Sequence, residues 1–462
     1  MNFLIILYFL LFAFLSRLNL KMAVLVLIFA LPSYLIRFNI LSIPTTLLEV
    51  MILTVFAFFL FEKRKELFKN IEKKWSQKIP YPFSWEIVLV LVLSFIAVFT
   101  AGLSLSALGI FKAYFLEPIF LFIVIVNIFK NEKDIKKILY ALSLSALIVS
   151  VAAIWQKITG QFIFNEFWAN PENRRVVSFF GYPNAVALYL GPIIPMVAGL
   201  FIYTIKERGT LNSFLKQLIL FTTIIFGVLA IYFSKSKGAL LAISLSLLIT
   251  IFVLIKRKYK ICFLIIALIL LPSFYFYKKD WLNLKLSSSL SYQIRLIGWQ
   301  ETMEMLNDGN FLWGAGLSNY QNKISKYHQE GLFFNKDADP DFKRKIIIFD
   351  DKYRAERWQP LEIYLYPHNI FLNFWTEIGL IGAVLFAFLI FKSLFLSLKA
   401  VIKEKNNKEK YLFLGIFSSL LIIVIHGIFD VPYFKNDLSA LFWVIISILA
   451  VYQLRQKVKK YE

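Results

Sequence analysis

Cysteine is almost absent from this chain of 462 residues, which has one, Cys262, and only three histidines. A single cysteine excludes an intrachain disulfide framework and a cluster of metal-binding thiolates, which leaves Cys262 as a small apolar packing residue. A glycine-rich loop that would hold nucleotide phosphate is also missing from the basic connectors. These absences argue against disulfide-stapled, zinc-thiolate and nucleotide-dependent classes of protein.

Acidic residues are scarce as well, with 29 Asp and Glu against 51 Lys and Arg, so the net charge is +22. Six connectors hold 28 of the basic residues and 9 of the acidic ones: 62–79, 130–137, 206–216, 256–260, 392–410 and 454–462. Threading the apolar segments alternately places these connectors on one side, which the positive-inside rule identifies as cytoplasmic. Anionic lipid attracts such charge, so membrane lipid is an expected partner and nucleic acid is not.

Long apolar segments are abundant, since 59% of the residues are hydrophobic and the mean hydropathy is +0.68. Runs of about 20 apolar residues are long enough to cross a hydrocarbon core roughly 30 Å thick. Thirteen such spans are predicted, near 2–15, 22–36, 45–62, 85–104, 110–129, 138–156, 183–205, 217–233, 238–255, 261–277, 369–391, 411–429 and 437–453. The first is short and could be re-entrant, so twelve is the alternative. No signal-peptide cleavage pattern follows it, and we expect it to remain as an anchor.

The expected fold is therefore an all-α polytopic membrane protein with 12–13 transmembrane helices and one large external loop. Residues 1–277 are expected to contain the first ten transmembrane helices, 278–367 the external loop, and 368–462 the last transmembrane helices. The loop is nearly neutral, with 13 basic and 12 acidic residues. Its apolar residues recur at helical spacing over 287–306, and "NDGN" (307–310) should end that helix. A connector of this length is expected to form short helices on the membrane surface.

Polar residues cluster at four places on the predicted external face, 172–184, 234–238, the loop with His368, and 426–430. A lone histidine at a membrane interface is commonly structural. The neutral imidazole of His368 could instead take a proton from an attacking hydroxyl near pH 7. Both interpretations stay open from the residue alone.

Cations recur in these clusters. Arg174 and Arg175 suit bidentate contact with diphosphate oxygens. Lys235 and Lys237 are either a snorkelling pair at a helix end or an anion site at a helix N-terminus. Arg295 either points into a cleft or is a solvated helix residue. The sequence leaves each of these alternatives open.

Two acidic features have competing interpretations. "KDADPD" (336–341) contains an Asp-x-Asp pair of the kind that binds metal, but the surrounding basic residues favour a solvated loop. Glu117, beside Pro118 inside a predicted span, is an intramembrane charge that suggests function. An ion pair with Lys112, about one helical turn away, is the structural alternative.

Several stretches, taken in order, resemble the signature of the O-antigen ligase and polymerase superfamily. His368 and Asn369, followed by Gly379 and Gly382, have the spacing of that superfamily. "SFFGYPNAVALYL" resembles its Gly-x-Pro-Asn segment and "SKSKGALLA" its Ser-Arg-Gly segment. "RLIGWQETMEML" and "LWGAGLSNY" resemble its Arg-x-x-x-Trp and Gly-x-Gly stretches, and "HGIFD" adds a further mark. The marks other than "HGIFD" cover roughly residues 172–382, about half of the chain.

This resemblance implies a GT-C-type membrane glycosyltransferase that assembles surface polysaccharide, such as lipopolysaccharide, in the cell envelope. It implies inverting transfer of a glycan from a polyprenyl-diphosphate carrier, such as undecaprenyl diphosphate, to a hydroxyl of a glycan, lipid or protein. No metal and no other cofactor is implied. The active site would face the periplasm or exterior from the cytoplasmic (inner) membrane.

Site residues follow from the same resemblance. His368 would be the general base or orient the acceptor, and Arg295 would be catalytic and bind the diphosphate. Lys237 would also bind phosphate and stands where the superfamily usually has arginine, and Arg174 or Arg175 would make a second contact. The supporting residues are Asn184, Asn369, Gly379 and Gly382.

A lipid-linked-oligosaccharide flippase, or another polysaccharide transporter, is the alternative of a different class. Transporters typically show repeated halves, broken helices and charges at the membrane midplane. Only Glu117 and Pro118 suggest this, whereas the polar clusters gather at one face. The sequence therefore favours the enzyme, without separating polymerase, lipid-directed ligase and protein-glycosylating ligase.

Overall fold

Helices form nearly all of the secondary structure that the computed structural model describes. It describes residues 3–40, 43–74, 81–206, 211–256, 258–261, 277, 289–348, 351–404 and 408–461. Cys262 and nearly all of the predicted span 261–277 lie outside the described residues. Over the described ranges, strands are confined to two short antiparallel ribbons. The all-α polytopic class is confirmed.

The first half of the chain is a series of apolar helices with one ribbon. The ribbon pairs β1 (Arg37–Ile40) with β2 (Ile43–Thr46). A π-helical segment, Phe111–Leu116, joins the α-helices Leu105–Ile110 and Glu117–Ile128. The three form one continuous helix, Leu105–Ile128. The helices are α1 (Phe3–Leu18), α2 (Leu20–Phe29), α3 (Leu47–Lys74), α4 (Ser84–Thr100), α5 (Leu105–Ile110), α6 (Glu117–Ile128), α7 (Glu132–Thr159), α8 (Glu166–Ala169), α9 (Pro183–Ile205), α10 (Leu211–Ser234) and α11 (Lys237–Leu254).

The second half consists of the predicted external loop and three long helices. The loop contains the expected short helices, α12 (Leu290–Met305), α13 (Tyr320–Ile324), α14 (Phe342–Ile347) and α15 (Asp351–Arg357), and a ribbon of β3 (Gly331–Phe333) and β4 (Trp358–Pro360). Gly309, with φ 79°, lies in the "NDGN" turn that follows α12, as the sequence predicts. The chain then forms α16 (Ile370–Lys403), α17 (Glu409–Gly427) and α18 (Asn436–Tyr461).

Eight helices in the described part of the chain are long and apolar enough to cross a membrane. They are Leu105–Ile128, Glu132–Thr159, Pro183–Ile205, Ser213–Ser234, Lys237–Leu254, Ile370–Lys403, Glu409–Gly427 and Asn436–Val458. The second predicted span, 22–36, is too long. Its α-helix ends at Phe29 and a 3₁₀ turn, Leu31–Leu35, follows, because Pro32 lacks an N–H and disfavours α geometry in the preceding residue.

The helices differ in the fraction of residues that is buried, which distinguishes a central helix from peripheral ones. Of the most apolar window of α18, 89% is buried, compared with 22% for α11. Helix α9 packs tightly on α17 because each has a glycine at the contact. A Cβ on Gly199 would lie 2.3 Å from the Tyr411 carbonyl oxygen, and one on Gly415 would lie 2.5 Å from that of Pro195. Small residues permit such close backbone approach between membrane helices.

Described residues of several basic connectors lie together at one end of the bundle, here called the basic end. Arg455 pairs with Glu409 at 3.1 Å, and the Lys136 ammonium donates to the Tyr203 hydroxyl at 3.2 Å. Helices α16 and α18 begin at the opposite end, at Ile370 and Asn436. That end contains the segments which the sequence predicts to be external, and it is called the site end below.

Candidate active site at the site end of the bundle

All three histidines of the chain lie around one point at the site end. His368 precedes α16 in a left-handed conformation, with φ 50°, and its side chain is 21% exposed. The rings of Tyr364 and Tyr366 pack on it edge-to-face, each with a centroid distance of 5.1 Å. His368 and His328 line one small cavity of about 30 Å³. The imidazole is thus held by aromatic rings and still open to solvent or substrate.

His368 faces a buried carboxylate. Its Nδ1 lies 3.6 Å from Oδ1 of Asp430, which is 2% exposed. The Val431 N–H donates to the same oxygen at 2.9 Å, and the Asn184 amide donates to Oδ2 at 3.0 Å. Burial raises the pKa of Asp430, but His368, His426 and the Val431 N–H outweigh it and lower that pKa to about 2. Asp430 is therefore ionised at neutral pH, and its negative charge lies beside the imidazole.

Asn184 connects this pair to an arginine. The Arg175 guanidinium donates to Asn184 Oδ1 at 3.2 Å and to the Ser234 carbonyl at 3.0 Å. Burial lowers the pKa of Arg175, yet an arginine remains charged at neutral pH. Arg174 instead turns away and donates to the carbonyls of Lys157 and Ala169. Of the two arginines, the geometry brings Arg175 to the histidine and leaves Arg174 outside.

Helix α12 reaches the site through two side chains one turn apart. Arg295 Nε donates to the Phe429 carbonyl at 2.9 Å, next to Asp430, and its Nη1 donates to the Ser291 carbonyl at 2.9 Å. Trp299 Nε1 donates to the Pro367 carbonyl at 2.8 Å, next to His368. Because residues four apart share a helix face, the Arg-x-x-x-Trp spacing places α12 against both loops that hold the histidine–carboxylate pair.

Asn369 fixes the start of α16. Its side-chain oxygen accepts from the N–H groups of Phe371 and Leu372, at 3.0 and 3.1 Å, which satisfies two donors of the first turn. Its amide donates to the Ile428 carbonyl at 3.2 Å. Asn369 therefore acts as a helix cap and joins the His368 loop to the Asp430 loop.

The two motif glycines lie inside α16, away from this network. Gly379 has φ 76° and breaks the helix, and a Cβ there would lie 2.4 Å from the Leu312 carbonyl oxygen. A Cβ on Gly382 would lie 2.4 Å from the Ile378 side chain. Gly314, in the Gly-x-Gly loop, fits just as closely against Trp375. Gly379 and Gly314 allow loop 311–317 to pack backbone-to-backbone on α16, which is a supporting role.

Lys237 is the first residue of α11 and is exposed. In the part of the chain that the structure describes, no hydrogen bond or ion pair engages its ammonium group. The next residue, Gly238, packs on a histidine, since a Cβ there would lie 3.3 Å from Cδ2 of His426. Lys237 thus begins a helix whose first turn contacts the site, and it carries a charge that no described group compensates.

Of the two acidic features, Glu117 lacks the expected ion pair, whereas "KDADPD" has a basic partner on its own loop. Lys112 does not pair with Glu117; its ammonium lies 2.6 Å from Glu49. No described group donates a hydrogen bond to the buried Glu117 carboxylate.

In "KDADPD", Asp339 accepts from Lys345 and Tyr353, both at 2.7 Å. These hydrogen bonds lower the pKa of Asp339 to about 2. The loop acids therefore face basic and hydroxyl partners on their own loop.

Sequence reasoning missed Asp430 as a site residue and missed Lys435 altogether. Asp430 ends "HGIFD", an acid between two apolar spans, and that position was the available signal. The Lys435 ammonium lies 5.0–5.2 Å from the ring centroids of Tyr34, Phe180 and Tyr182, and burial lowers its pKa. Nothing in the local sequence marks a lysine for such an aromatic cage.

The fold and site define a multi-pass membrane protein with a polar network at one end of a helix bundle. Residues 222–387 match the family described as O-antigen ligase. The matched region, a little over a third of the chain, includes Lys237, Arg295 and His368. A comparison with curated proteins gives no match. The predicted resemblance is confirmed over these residues, and the match indicates a glycan ligase- or polymerase-type enzyme of surface polysaccharide assembly.

Proposed function

We propose that this enzyme transfers a glycan from a polyprenyl-diphosphate carrier to an acceptor hydroxyl at the site end of the bundle. The observation that carries the proposal is the network of His368, Asp430, Asn184 and Arg175, with Arg295 beside it. It combines a candidate base with cations whose described partners are neutral oxygens. Such cations keep their charge available for an anionic ligand.

The acceptor is activated by His368. Nδ1 faces Asp430, so Nε2 is the ring nitrogen that takes the proton of the acceptor hydroxyl. The acceptor oxygen then bonds to the anomeric carbon, and the bond from that carbon to the diphosphate oxygen breaks. Asp430 stabilises the imidazolium that forms, as a carboxylate orients and stabilises a catalytic histidine elsewhere. One displacement of this kind inverts the anomeric configuration.

The diphosphate leaves with the bonding electron pair, and the arginines stabilise its charge. No described acceptor binds Nη2 of Arg295 or Nη1 of Arg175, so each arginine keeps N–H donors for phosphate oxygens. Lys237 adds a further positive charge. Fixed cations where water is scarce stabilise developing negative charge strongly, and they take the role that a metal ion has in other transferases.

The site end faces the periplasm or exterior of the inner membrane in this proposal. The basic end is cytoplasmic by the positive-inside rule, and the described part of the predicted external loop, 289–348 and 351–367, lies at the opposite end. A carrier lipid whose chain lies between the helices would present its diphosphate at the level of Arg295 and His368. Bulky acceptors on the exterior could then approach without crossing the bilayer.

Replacing His368 by alanine tests the proposal. In nanodiscs with a purified polyprenyl-diphosphate glycan, His368→Ala should lower transfer about 10²-fold or more, the scale of a positioned general base. Donor binding should persist, because the cations remain. His328→Ala is the matched control, since His328 lines the same cavity but is absent from the network of His368 and Asp430, and it should retain most activity. Monodisperse His368→Ala protein with normal turnover would refute the catalytic role.

A transporter remains the second candidate because of one observation: the Glu117 carboxylate is buried, and no described group is its hydrogen-bond partner. Transporters use such intramembrane charges to couple ions to substrate. Glu117→Gln should leave glycan transfer in nanodiscs unchanged, because Glu117 is absent from the His368 network. Loss of lipid-linked glycan translocation in proteoliposomes on this substitution, with transfer absent from the wild type, would favour the flippase.

A further inference from the structure

A cavity of about 850 Å³ lies at the basic end, far from His368. It is lined by the start of α4 and the C-terminal parts of α16 and α18. Helix α16 begins beside His368, and its part after the break at Gly379, residues 380–403, is about 36 Å long at 1.5 Å per residue, enough to cross a hydrocarbon core of roughly 30 Å. Its last turns line this cavity, so the cavity and the proposed active site are at opposite ends of the molecule. Its volume is typical of sites for organic ligands.

Four lysines line the cavity, against two carboxylates, Glu86 and Glu404. The lysines are Lys392, Lys399, Lys403 and Lys457. Lys392 pairs with Glu86, which is fully buried. Among the described residues, no carboxylate pairs with any of the other three ammonium groups. The lining therefore carries an excess of two positive charges, and three of its lysines have no described carboxylate partner to compete with an anion.

The Glu86 carboxylate indicates that the ligand carries a hydrogen-bond donor. One carboxylate oxygen contacts Lys392, while the other, Oε2, is buried and has no hydrogen-bond partner in the described part of the chain. A buried carboxylate oxygen without a donor is costly. A ligand that combines phosphate with hydroxyl groups would satisfy both the lysines and this oxygen.

Apolar surface adjoins the charged lining. Phe83, Trp85 and Leu396 line the cavity, and the Phe388 and Phe395 side chains beside it on α16 are 45% and 63% exposed. Exposed aromatic and aliphatic side chains on a membrane helix face acyl chains. The cavity thus opens beside a lipid-facing surface, with cations where headgroups lie.

We propose that this cavity binds an anionic phospholipid with a glycerol-type headgroup, such as phosphatidylglycerol. The phosphate lies among Lys399, Lys403 and Lys457, a headgroup hydroxyl donates to Glu86, and the acyl chains lie along the aromatic face of α16. Basic pockets between membrane helices on the cytoplasmic side bind anionic headgroups in this way. The lipid would join α4, α16 and α18 at the end remote from catalysis.

Native mass spectrometry of delipidated protein, titrated with phosphatidylglycerol or phosphatidylcholine, tests the proposal. The wild type should bind phosphatidylglycerol at least tenfold more tightly. The triple variant Lys399→Gln, Lys403→Gln, Lys457→Gln should lose most of that preference, since each lysine at an anionic surface contributes roughly fivefold. Lys392 is not replaced, because its removal would leave the buried Glu86 carboxylate without its ion-pair partner.

A charge-matched control distinguishes the cavity from general surface charge. Lys133→Gln, Lys137→Gln, Lys256→Gln removes three exposed lysines from connectors of the same predicted side, and it should retain the phosphatidylglycerol preference. Equal binding of both lipids by the wild type would overturn the proposal. Equal loss in the cavity and control variants would also overturn it, because the attraction would then be that of the whole basic surface. Neither outcome bears on the transfer assay with His368→Ala.

Discussion

The two ends of the bundle use positive charge in different ways. At the basic end, several cations face carboxylates: Arg455 pairs with Glu409, Lys136 with Glu132 and Lys21 with Asp134. At the site end, Arg175 and Arg295 donate to carbonyl, amide and hydroxyl oxygens. A neutral acceptor orients a guanidinium without cancelling its charge. The comparison teaches that the partners of a cation, more than the number of cations, indicate where an anionic substrate binds.

A labelling experiment tests whether the two ends of the bundle lie on opposite sides of the membrane. Single cysteines at Lys258 and Lys343, introduced after Cys262 is replaced by serine, should label from opposite sides of the membrane. The physical reason is the positive-inside rule, which places the connector 256–260 in the cytoplasm. A membrane-impermeant maleimide on intact cells should reach position 343 only. Equal labelling of both positions in intact cells, with a cytosolic marker protected, would contradict the assignment of sides.

Among the cation substitutions, replacing Arg295, whose described hydrogen-bond partners are neutral oxygens, should have the largest effect on glycan transfer. Arg295→Ala should reduce glycan transfer about 10²- to 10³-fold, the scale of one lost group that stabilises a developing oxyanion. Arg295→Lys should recover only part of it, because an ammonium cannot make a bidentate phosphate contact. Transfer rates and donor affinity are measured in nanodiscs. Arg455→Ala, at the basic end, is the control and should leave transfer nearly unchanged; equal losses would refute the distinction.

Adjacent arginines sharpen the comparison within the site end. Arg175→Ala should lower transfer about tenfold or more, since a charged hydrogen bond contributes about 1.5 kcal/mol or above. Arg174→Ala should have a smaller effect on transfer, because Arg174 donates to carbonyls outside the His368 network. Both are assayed at matched amounts of monodisperse protein. If Arg174→Ala is the more damaging variant, the network does not identify the phosphate contact.

The smallest effect is expected at Lys237. Lys237→Arg should retain transfer within about twofold, because charge and exposure are kept and the superfamily residue is restored. Lys237→Ala should weaken donor binding more than Lys235→Ala, since Lys235 already donates to Asn173. Donor titrations of the three variants provide the measurement. Full donor affinity in Lys237→Ala would leave this lysine as an interfacial anchor.

The sequence by itself determined the membrane class, most helix positions and the division into two ends. Each of these is a local property: apolar length sets a span, and the charge of the adjacent connector sets its predicted side. The span predicted at 183–205 is Pro183–Ile205 in the structure. The second predicted span, 22–36, is wrong at its end because Pro32 interrupts the α-helix. The order of the short motifs likewise predicted the resemblance to the superfamily and singled out His368 as a candidate site residue.

Only the tertiary structure decided which polar residues meet. Asn184 contacts Asp430 across 246 positions of sequence, and Arg295 contacts the Phe429 carbonyl across 134. The choice of Arg175 over Arg174 depends on which neighbour turns toward Asn184, and both are arginines in the same loop. Glu49 rather than Glu117 receives Lys112 because α3 packs beside α6. Local pattern carries no information on such contacts, since they form only when helices distant in sequence bury a common polar surface and must satisfy its hydrogen bonds together.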